Sequence, residues 1–291
     1  MQFGLILPSY LPAATPEVIK EAALQAEQAG FDSVWTTDHV IVPADSPAPY
    51  HYVFEALTTL SWLAGVTQRI KLGVSVLVLP QRNPILVAKE VATLDALSGG
   101  RTMLGVGVGW EDREFAYLNA NFDERGEIQD ESIRVLRHLW SGETEPFEGQ
   151  HFRFSGHAFG PLPAQPGGPP IWIGGASPSA RRRAARLGDG WHAIGQPPEE
   201  LKSAIDEVRR HSSGRTMTMS LRIVVGDRRE TRHTPRGVQT VFGGTAGDLM
   251  EDLRRYQDAG CEYVAVSFWD GDRAASLARQ QRFANEVLGR L

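Results

Sequence analysis

The residues best suited to proton chemistry are the neighbours Asp38 and His39, which closely follow a short apolar run ending at Thr36. An imidazole can both donate and accept a proton near neutral pH, which suits general acid–base catalysis. If the apolar run is a barrel strand, both side chains would lie at the mouth where barrel enzymes carry their active sites. A loop cap and a polar surface histidine would explain the same pair, and the pair alone favours that simpler interpretation.

Two glycine-rich segments could hold a flat ligand with an anionic tail. Residues 105–109 alternate glycine and valine, which lets the backbone approach a ring that any Cβ would block. They lack the spacing of a dinucleotide-binding fingerprint, and a plain turn between a strand and a helix explains them equally well. Residues 174–176 read Gly-Gly-Ala at the start of a helical pattern, so their free N–H groups favour a phosphate site over a tight turn.

The elements that would position these groups are predicted by an alternation of apolar runs and helical patterns. Continuous runs of Val, Ile and Leu are typical of parallel strands that are covered on both faces. Eight βα units within 291 residues favour an α/β fold of the (β/α)8 TIM-barrel type, although alternation alone leaves an open doubly wound sheet possible. The predicted strands are Phe3–Leu7, Asp32–Thr36, Ile70–Leu79, Thr102–Val106, Ile171–Ile173, Gly190–Ile194, Met217–Val225 and Tyr263–Ser267.

Helices are predicted between the strands. The first starts at Thr15-Pro16 and ends at Gly30, and a later one has the capping box Thr245-x-x-Asp248. No linker divides the chain, so we predict one domain over residues 1–291, with loop insertions at the C-terminal face and a small hairpin at 147–154. The other predicted helices are 53–66, 83–98, 124–140, 177–188, 197–211, 245–259 and 272–290, and the long irregular stretches are 42–52, 142–170 and 227–244.

The composition excludes several function classes. With 42% apolar and 22% charged residues, the chain is typical of a globular protein with a large core. A net charge of −5 provides no basic field for nucleic acid. The single cysteine, Cys261, can form neither an internal disulfide nor a zinc site of the usual spacing. The N-terminus resembles a buried strand rather than a signal peptide or membrane span, so we expect a cytoplasmic protein without a membrane partner.

An ordered series of motifs runs along nearly the whole chain. The motifs are Phe3–Pro8, Ala29–Trp35 leading into Asp38-His39, Leu72–Pro80 with Arg82-Asn83-Pro84, residues 94–101, Gly174-Gly175 and Gly188–Trp191. Each motif is weak by itself, but in this order they resemble the bacterial luciferase-like monooxygenase superfamily, especially the branch that uses the 8-hydroxy-5-deazaflavin coenzyme F420.

The resemblance implies roles for individual residues at the barrel mouth. His39 would lie beside the coenzyme ring as the acid or base, and Asp38 would contact the coenzyme. Glu111 is the second catalytic candidate, although Trp110 interrupts the Gly-Glu run of the family's sugar-phosphate dehydrogenases. The remaining implied contacts are a cis peptide behind the ring at Ser75-Val76, the ring and its side chain along Gly107, Gly109 and Trp110, and the phosphate at Gly174, Gly175 and Ala176.

The resemblance further implies a hydride transfer between F420 and a small organic substrate. Tyr50, Tyr52, Trp110 and Trp191 suggest a largely apolar substrate pocket, and the absence of a matching Lys/Arg set disfavours a sugar phosphate. The alternative is an FMN-dependent monooxygenase that uses dioxygen and reduced flavin from a partner reductase. A non-catalytic flavin-binding barrel is a further alternative from a different class. A homodimer is expected from the family.

Overall fold

The strands form one barrel and a small separate hairpin. The computed structural model describes residues 1–10, 14–46, 50–234, 237–269 and 272–290. In the described chain the strands are β1 (Gln2–Ile6), β2 (Ser33–Thr36), β3 (Lys71–Val78), β4 (Thr102–Gly107), β5 (Phe147–Glu148), β6 (Arg153–Phe154), β7 (Ile171–Gly174), β8 (Gly190–Ile194), β9 (Thr218–Val225), β10 (Glu230–Thr234), β11 (Gly237–Phe242) and β12 (Tyr263–Ser267).

The barrel is closed by parallel pairing in the order β1, β2, β3, β4, β7, β8, β9, β12 and back to β1. The decisive contacts are the ladder between β8 and β9, where Trp191 lies opposite Met219, and the ladder between β12 and β1, where Val264 lies opposite Phe3. An open doubly wound sheet would leave two of these edges unpaired. The predicted TIM barrel is therefore confirmed, and each predicted barrel strand is present.

Helices cover the outside of the barrel. Thr15 caps α1 by accepting a hydrogen bond from the Val18 N–H, and Gly30 ends it with φ 89°. The predicted capping box of Thr245 and Asp248 is present in α8. The short helix α4 was not predicted. The helices are α1 (Pro16–Ala29), α2 (Ala56–Ala64), α3 (Pro84–Ser98), α4 (Asp112–Tyr117), α5 (Arg125–Trp140), α6 (Pro178–Leu187), α7 (Pro198–His211), α8 (Ala246–Asp258) and α9 (Arg273–Glu286).

The stretch 227–244, predicted to be irregular, contains an additional hairpin. Strands β10 and β11 pair antiparallel, and β11 also pairs in parallel with β9 through Val241 and Val224. Threonine and valine are interspersed there with charged and polar residues, a composition compatible with strands at the edge of a sheet. The mixed charge of this stretch is therefore a feature of an edge hairpin. The predicted hairpin at 147–154 is present as β5 and β6.

Aromatic side chains pack against one another inside the barrel lumen. Trp35 packs against Trp172 with ring centroids 5.3 Å apart and stacks on His192 at 5.7 Å. A Cβ at Gly73 would overlap the Trp35 ring, so this glycine makes room for it. Because these rings fill part of the lumen, we expect a ligand to bind at the carboxyl ends of the strands. None of the helices in the described ranges combines the length and apolar character needed to cross a bilayer.

Candidate active site at the barrel mouth

His39 is held in one orientation by Glu114, a residue of α4. The His39 Nδ1 atom lies 2.9 Å from Glu114 Oε2, and the two side chains are only 6% and 1% exposed. The other carboxylate oxygen, Oε1, accepts hydrogen bonds from the N–H groups of Val40 at 2.7 Å and Ile41 at 3.2 Å. Glu114 therefore fixes both the imidazole and the backbone that follows it.

The charge state of Glu114 determines which histidine nitrogen remains available. Burial by itself would raise the pKa of Glu114, but the hydrogen bond and charge of His39 and the Val40 N–H outweigh it, so this pKa lies below its ordinary value. An ionised carboxylate can only accept hydrogen bonds, so the Nδ1 atom of His39 carries a proton. The Nε2 atom is left to donate or accept a proton.

Two aromatic side chains lie beside His39. Its ring centroid lies 4.5 Å from that of Tyr50 and 5.8 Å from that of Trp110, and the latter two rings are 6.1 Å apart. The next two residues of the chain, Val40 and Ile41, are 51% and 49% exposed. Tyr50 and Trp110 therefore form an aromatic wall beside the imidazole, and apolar side chains follow it in the chain.

Two of the aromatic residues predicted to bind substrate lie elsewhere. Tyr52 is exposed and contacts Phe54. Trp191 is fully buried between the barrel and its helices, because side chains alternate along a strand and its neighbour His192 faces the lumen. The Trp191 Nε1–H donates to the Gly175 carbonyl at 2.8 Å. Trp191 therefore supports the Gly175 turn and does not line a substrate pocket.

Asp38 connects the segment after β2 to the end of β3. Its Oδ2 atom accepts the Val78 N–H at 2.8 Å, and its Oδ1 atom accepts from Arg82 Nη2 at 2.8 Å. Burial raises the pKa of Asp38, whereas Arg82 and the Val78 N–H favour its charged form. Because both oxygens are used inside the protein, this geometry favours a positioning role for Asp38 over the expected direct contact with a coenzyme.

Glu111 stabilises a loop and does not contact His39. Its carboxylate accepts from Ser46 Oγ at 3.3 Å and from Arg113 Nε at 3.2 Å, and Arg113 also pairs with Asp45 at 2.7 Å. The acidic partner of His39 is instead Glu114, three residues later. Glu111 and Glu114 are about one helical turn apart, and the sequence contains both carboxylates. Which of them faces His39 becomes clear only once α4 is known to start at Asp112.

The peptide bond between Ser75 and Val76 is cis, as the resemblance implied. The pairing of β3 with β4 shifts register between Val74 and Leu77, around this bond. Two cross-barrel contacts hold the segment: Ser75 Oγ lies 2.9 Å from His192 Nε2, and the Ser75 carbonyl accepts from Arg222 Nη1 at 2.9 Å. None of these contacts was predicted.

The Val76 side chain explains two of the predicted glycines. A Cβ built on Gly107 would lie 2.6 Å from Val76 Cγ2, and one on Gly174 would lie 2.8 Å from Val76 Cγ1. Both distances are too short for real carbon atoms, so the missing side chains first of all make room for Val76. Gly109 has φ 78°, a conformation that residues with a Cβ rarely adopt.

The turn over residues 174–176 presents backbone donors. Gly175 has φ 118°, and Ser177 caps α6 by accepting from the Ala180 N–H. Ala176 and Ser177 are exposed, and within the described chain no protein group accepts a hydrogen bond from their N–H groups. Free donors at the start of a helix are suited to an anion.

The pairing of the strands brings these segments to one end of the barrel. Val78 lies opposite Gly107, and the neighbouring ladder pairs Val106 with Ile173, the residue before Gly174. Asp38 binds the Val78 N–H, which places His39 at this same end. Among the described residues, no group of three or more His, Cys, Asp or Glu side chains could hold a metal ion.

A family model described as luciferase-like monooxygenase matches residues 1–277. The chain belongs to the luciferase-like monooxygenase family. This confirms the superfamily predicted from the ordered motifs, and it identifies the chain as an oxidoreductase.

Individual family members and solved structures show similarity of different extent. An uncharacterised protein of Mycobacterium tuberculosis is 31% identical over 261 residues, which cover 84% of this chain and 83% of that protein. An F420-dependent glucose-6-phosphate dehydrogenase of Kineococcus radiotolerans is 37% identical over 183 residues, which cover 60% of this chain and 52% of that enzyme. A solved monooxygenase from Streptomyces bottropensis has a TM-score of 0.82 and 21% identity over 99% of each chain, which shows a shared fold.

The luciferase-like barrel of this chain contains a second buried histidine, His192. Burial, and then the positive charge of Arg222, lower the pKa of His192 to about 3. His192 is therefore neutral near pH 7 and bridges Ser75 and Ser220 by hydrogen bonds of 2.9 Å and 2.8 Å. His192 therefore holds the Ser75 segment in place and, being neutral, does not donate a proton to a ligand.

Proposed function

We propose that this chain is an F420-dependent oxidoreductase that transfers a hydride between the deazaflavin coenzyme and a small, largely apolar organic substrate. The observation that carries the proposal is the His39–Glu114 pair, with 2.9 Å between its atoms, at the barrel end that also carries the Gly174–Ala176 turn. The F420-dependent relative from Kineococcus supports the choice of coenzyme.

The residues at the barrel mouth fit such a coenzyme. The free N–H groups of Ala176 and Ser177 would bind its phosphate, and the bulged segment Ser75-Val76 would lie behind its ring. Trp110 is half-buried beside His39 and would contact the ring from the loop after β4. A ring with an anionic tail would thus find an accessible surface between groups of suitable chemistry.

When bound, F420 accepts or delivers a hydride, so the protein has only to orient the substrate and manage one proton. Because Glu114 accepts a hydrogen bond from the Nδ1–H group of His39, the Nε2 atom is available to a substrate oxygen. His39 would accept the proton of a hydroxyl in the oxidative direction and donate it in the reductive direction. The charge of Glu114 would stabilise the imidazolium, and Tyr50 and Trp110 would keep water away from it.

The apolar surroundings of His39 favour the substrate class. Tyr50, Trp110, Val40 and Ile41 offer carbon surface and no cluster of positive charge for a phosphate. The similarity to the glucose-6-phosphate dehydrogenase covers 52% of that enzyme, so its substrate is not carried over. Small alcohols and ketones with apolar substituents are the substrates we expect.

The variant His39→Asn tests the proposal by separating catalysis from binding. We expect kcat/KM for a panel of small secondary alcohols and ketones, followed by F420 absorbance, to fall by about 10²- to 10⁴-fold. The Kd for F420 should change by less than about threefold, because the phosphate and ring contacts remain. The control His211→Asn, at an exposed position at the end of α7, should match the wild type. Unchanged turnover in His39→Asn would show that His39 is not the acid or base, whereas F420 binding without turnover by the wild type would favour a non-catalytic barrel.

An FMN-dependent monooxygenase is the second candidate, and the description of the matching family model favours it. Such an enzyme would receive reduced FMN from a partner reductase and use dioxygen. The coenzyme that raises the melting temperature distinguishes the two, since a ligand at 100 times its Kd adds about 2.7 kcal/mol to the free energy of unfolding. A shift with F420 alone supports the first candidate, and a shift with FMN alone supports the second.

A homodimer also belongs to this proposal. Trp62 on α2 is 40% exposed, and Leu86 and Leu97 on α3 are 57% and 71% exposed. Helices α2 and α3 are neighbours, so these side chains form an apolar surface that a second copy could cover. Light scattering on the purified protein should give twice the monomer mass.

The cytoplasmic location stays a prediction.

A further inference from the structure

Arg222 brings a positive charge into the barrel lumen. On β9, Ser220, Arg222 and Val224 share one face of the strand, and Ser220 hydrogen-bonds to the buried His192 inside the barrel. Ser220 is buried, whereas Arg222 and Val224 are half-buried. From Ser220 towards the mouth this face of β9 becomes more accessible, and Arg222 is the first accessible side chain beyond Ser220.

The Arg222 side chain crosses the lumen. Its Nη1 atom donates to the carbonyl oxygen of Ser75 at 2.9 Å, and Ser75 lies on β3. In the barrel order, β3 and β9 are separated by β4, β7 and β8 on one side and by β2, β1 and β12 on the other, so they stand opposite each other. The guanidinium therefore lies near the barrel axis and forms the floor of the mouth.

This charge has no counter-ion in the described part of the protein, where no carboxylate oxygen lies within 4.0 Å of the Arg222 nitrogens. The neighbouring His192 is neutral, because burial and the charge of Arg222 lower its pKa to about 3. A guanidinium stays charged and has five N–H donors, of which one binds Ser75. Partial burial of an uncompensated charge is unfavourable. A ligand with negative charge would relieve that cost.

We infer that Arg222 is an anion-binding residue of the coenzyme site and that its ligand is the reduced, negatively charged ring of the coenzyme. The inference rests on the proposed function. A hydride added to a neutral ring leaves a negative charge there unless a proton follows, and a fixed cation beside the ring stabilises that charge. The hydrogen bond from Arg222 to Ser75 places the cation at the strand segment against which the ring is proposed to lie.

The depth of Arg222 favours the ring over a substrate carboxylate as the anion. Asp38, the neighbour of His39, binds the N–H of Val78, which is three residues beyond Ser75 on β3. At about 3.3 Å per residue, the Asp38 contact lies about 10 Å further along β3 towards the mouth than the Arg222 contact. A substrate beside His39 and the guanidinium would thus lie on opposite sides of the ring.

The test compares Arg222→Met, which removes the charge, with Arg222→Lys, which keeps it. Fluorescence titrations without oxygen would measure the Kd of oxidised and of reduced F420 for each variant. We expect Arg222→Met to weaken binding of the reduced form by about ten- to a hundredfold and of the oxidised form by less than about threefold. Arg222→Lys should recover most of the loss. Arg254→Gln, at an exposed position on α8, is the control and should match the wild type.

The melting temperature of the ligand-free protein gives an independent result. Arg222→Met should melt at the same temperature as the wild type or higher, because it removes an uncompensated charge. Equal weakening of both coenzyme forms, or a lower melting temperature in both variants, would show a purely structural role and overturn the inference. Unchanged coenzyme binding with a raised KM for carboxylate-bearing substrates would also overturn it. If wild-type protein binds neither F420 nor FMN, the proposed function itself fails.

Discussion

At the residue scale, the proposed proton transfer depends on the 2.9 Å hydrogen bond by which Glu114 holds His39. In Glu114→Gln the imidazole loses an adjacent negative charge but keeps a polar neighbour of the same size. We expect kcat/KM to fall by about tenfold or more, with little change in KM. Steady-state kinetics at neutral pH measure both kinetic constants.

Asp112→Asn provides the matched control for this experiment. Asp112 is exposed on the same short helix and bonds only the neighbouring Arg113 N–H in the described contacts. A loss of the same size in Asp112→Asn would assign the effect to α4 as a whole. An unchanged kcat/KM in Glu114→Gln would remove Glu114 from the proposed proton pathway.

The sequence predicts that His39 lies at the barrel mouth, but it does not predict the contact with Glu114. The position of His39 after an apolar run was enough to predict a place at the mouth, because barrel sites follow strand ends. The choice between Glu111 and Glu114 depends on where α4 begins, and a six-residue helix leaves little periodic signal. Arg222 and His192 lie within strand patterns, and their contacts with Ser75 span 147 and 117 positions of the chain. Pairings of that length are set by the closed barrel and have no local signature.

At the element scale, the fit between β3, β4 and β7 depends on Val76 occupying the space beside Gly107 and Gly174. In Gly107→Ala the new methyl group would overlap Val76 Cγ2, and we expect the free energy of unfolding to fall by about 1–3 kcal/mol. Adding Val76→Ala should recover much of this loss, since it removes the overlapping methyl groups. Urea unfolding of the two single variants and the double variant measures the coupling.

The control is Gly65→Ala, where the nearest atom would be the Trp62 carbonyl oxygen at a comfortable 3.6 Å from the added Cβ. It should leave stability nearly unchanged. Strictly additive effects of Gly107→Ala and Val76→Ala would contradict direct steric contact between the two positions.

Elements with strong periodic patterns were predictable, and those defined by pairing partners were not. The eight barrel strands are apolar because helices cover them, so their runs stand out in the sequence. The hairpin of β10 and β11 lies at an exposed edge, and its polar residues resemble those of a loop. Its strand character comes from the contact between Val241 and Val224 of β9.

At the scale of the whole molecule, His192 couples the stability of the barrel to pH. Burial lowers its pKa to about 3 in the folded protein, from an ordinary value of 6.5. The unfolded chain therefore binds a proton that the folded protein does not, so this contribution is complete above pH 6.5 and is lost as the pH falls towards 3. Between pH 6.5 and 5 we expect a slope approaching 1.4 kcal/mol per unit at most, measured by urea unfolding.

The variant His192→Asn should flatten this slope while retaining polar contacts in the lumen. Buried carboxylates with lowered pKa, such as Glu114 and Glu131, lose their contribution only below their ordinary value of 4.5, so they do not mask the effect. The exposed His211, replaced by Asn, serves as the control and should leave the slope unchanged. The same slope in wild type and His192→Asn would contradict a neutral, buried His192.

The most direct test of the account is a calorimetric titration of F420 into the wild-type protein and into Gly175→Val. Gly175 adopts φ 118°, which a β-branched residue does not tolerate, so the variant should distort the proposed phosphate turn. We expect one coenzyme per chain with a Kd well below about 1 mM for the wild type, and weakening by about tenfold or more in a variant shown by circular dichroism to be folded. No saturable binding to the wild type, or equal binding to both proteins, would contradict a coenzyme site at this mouth.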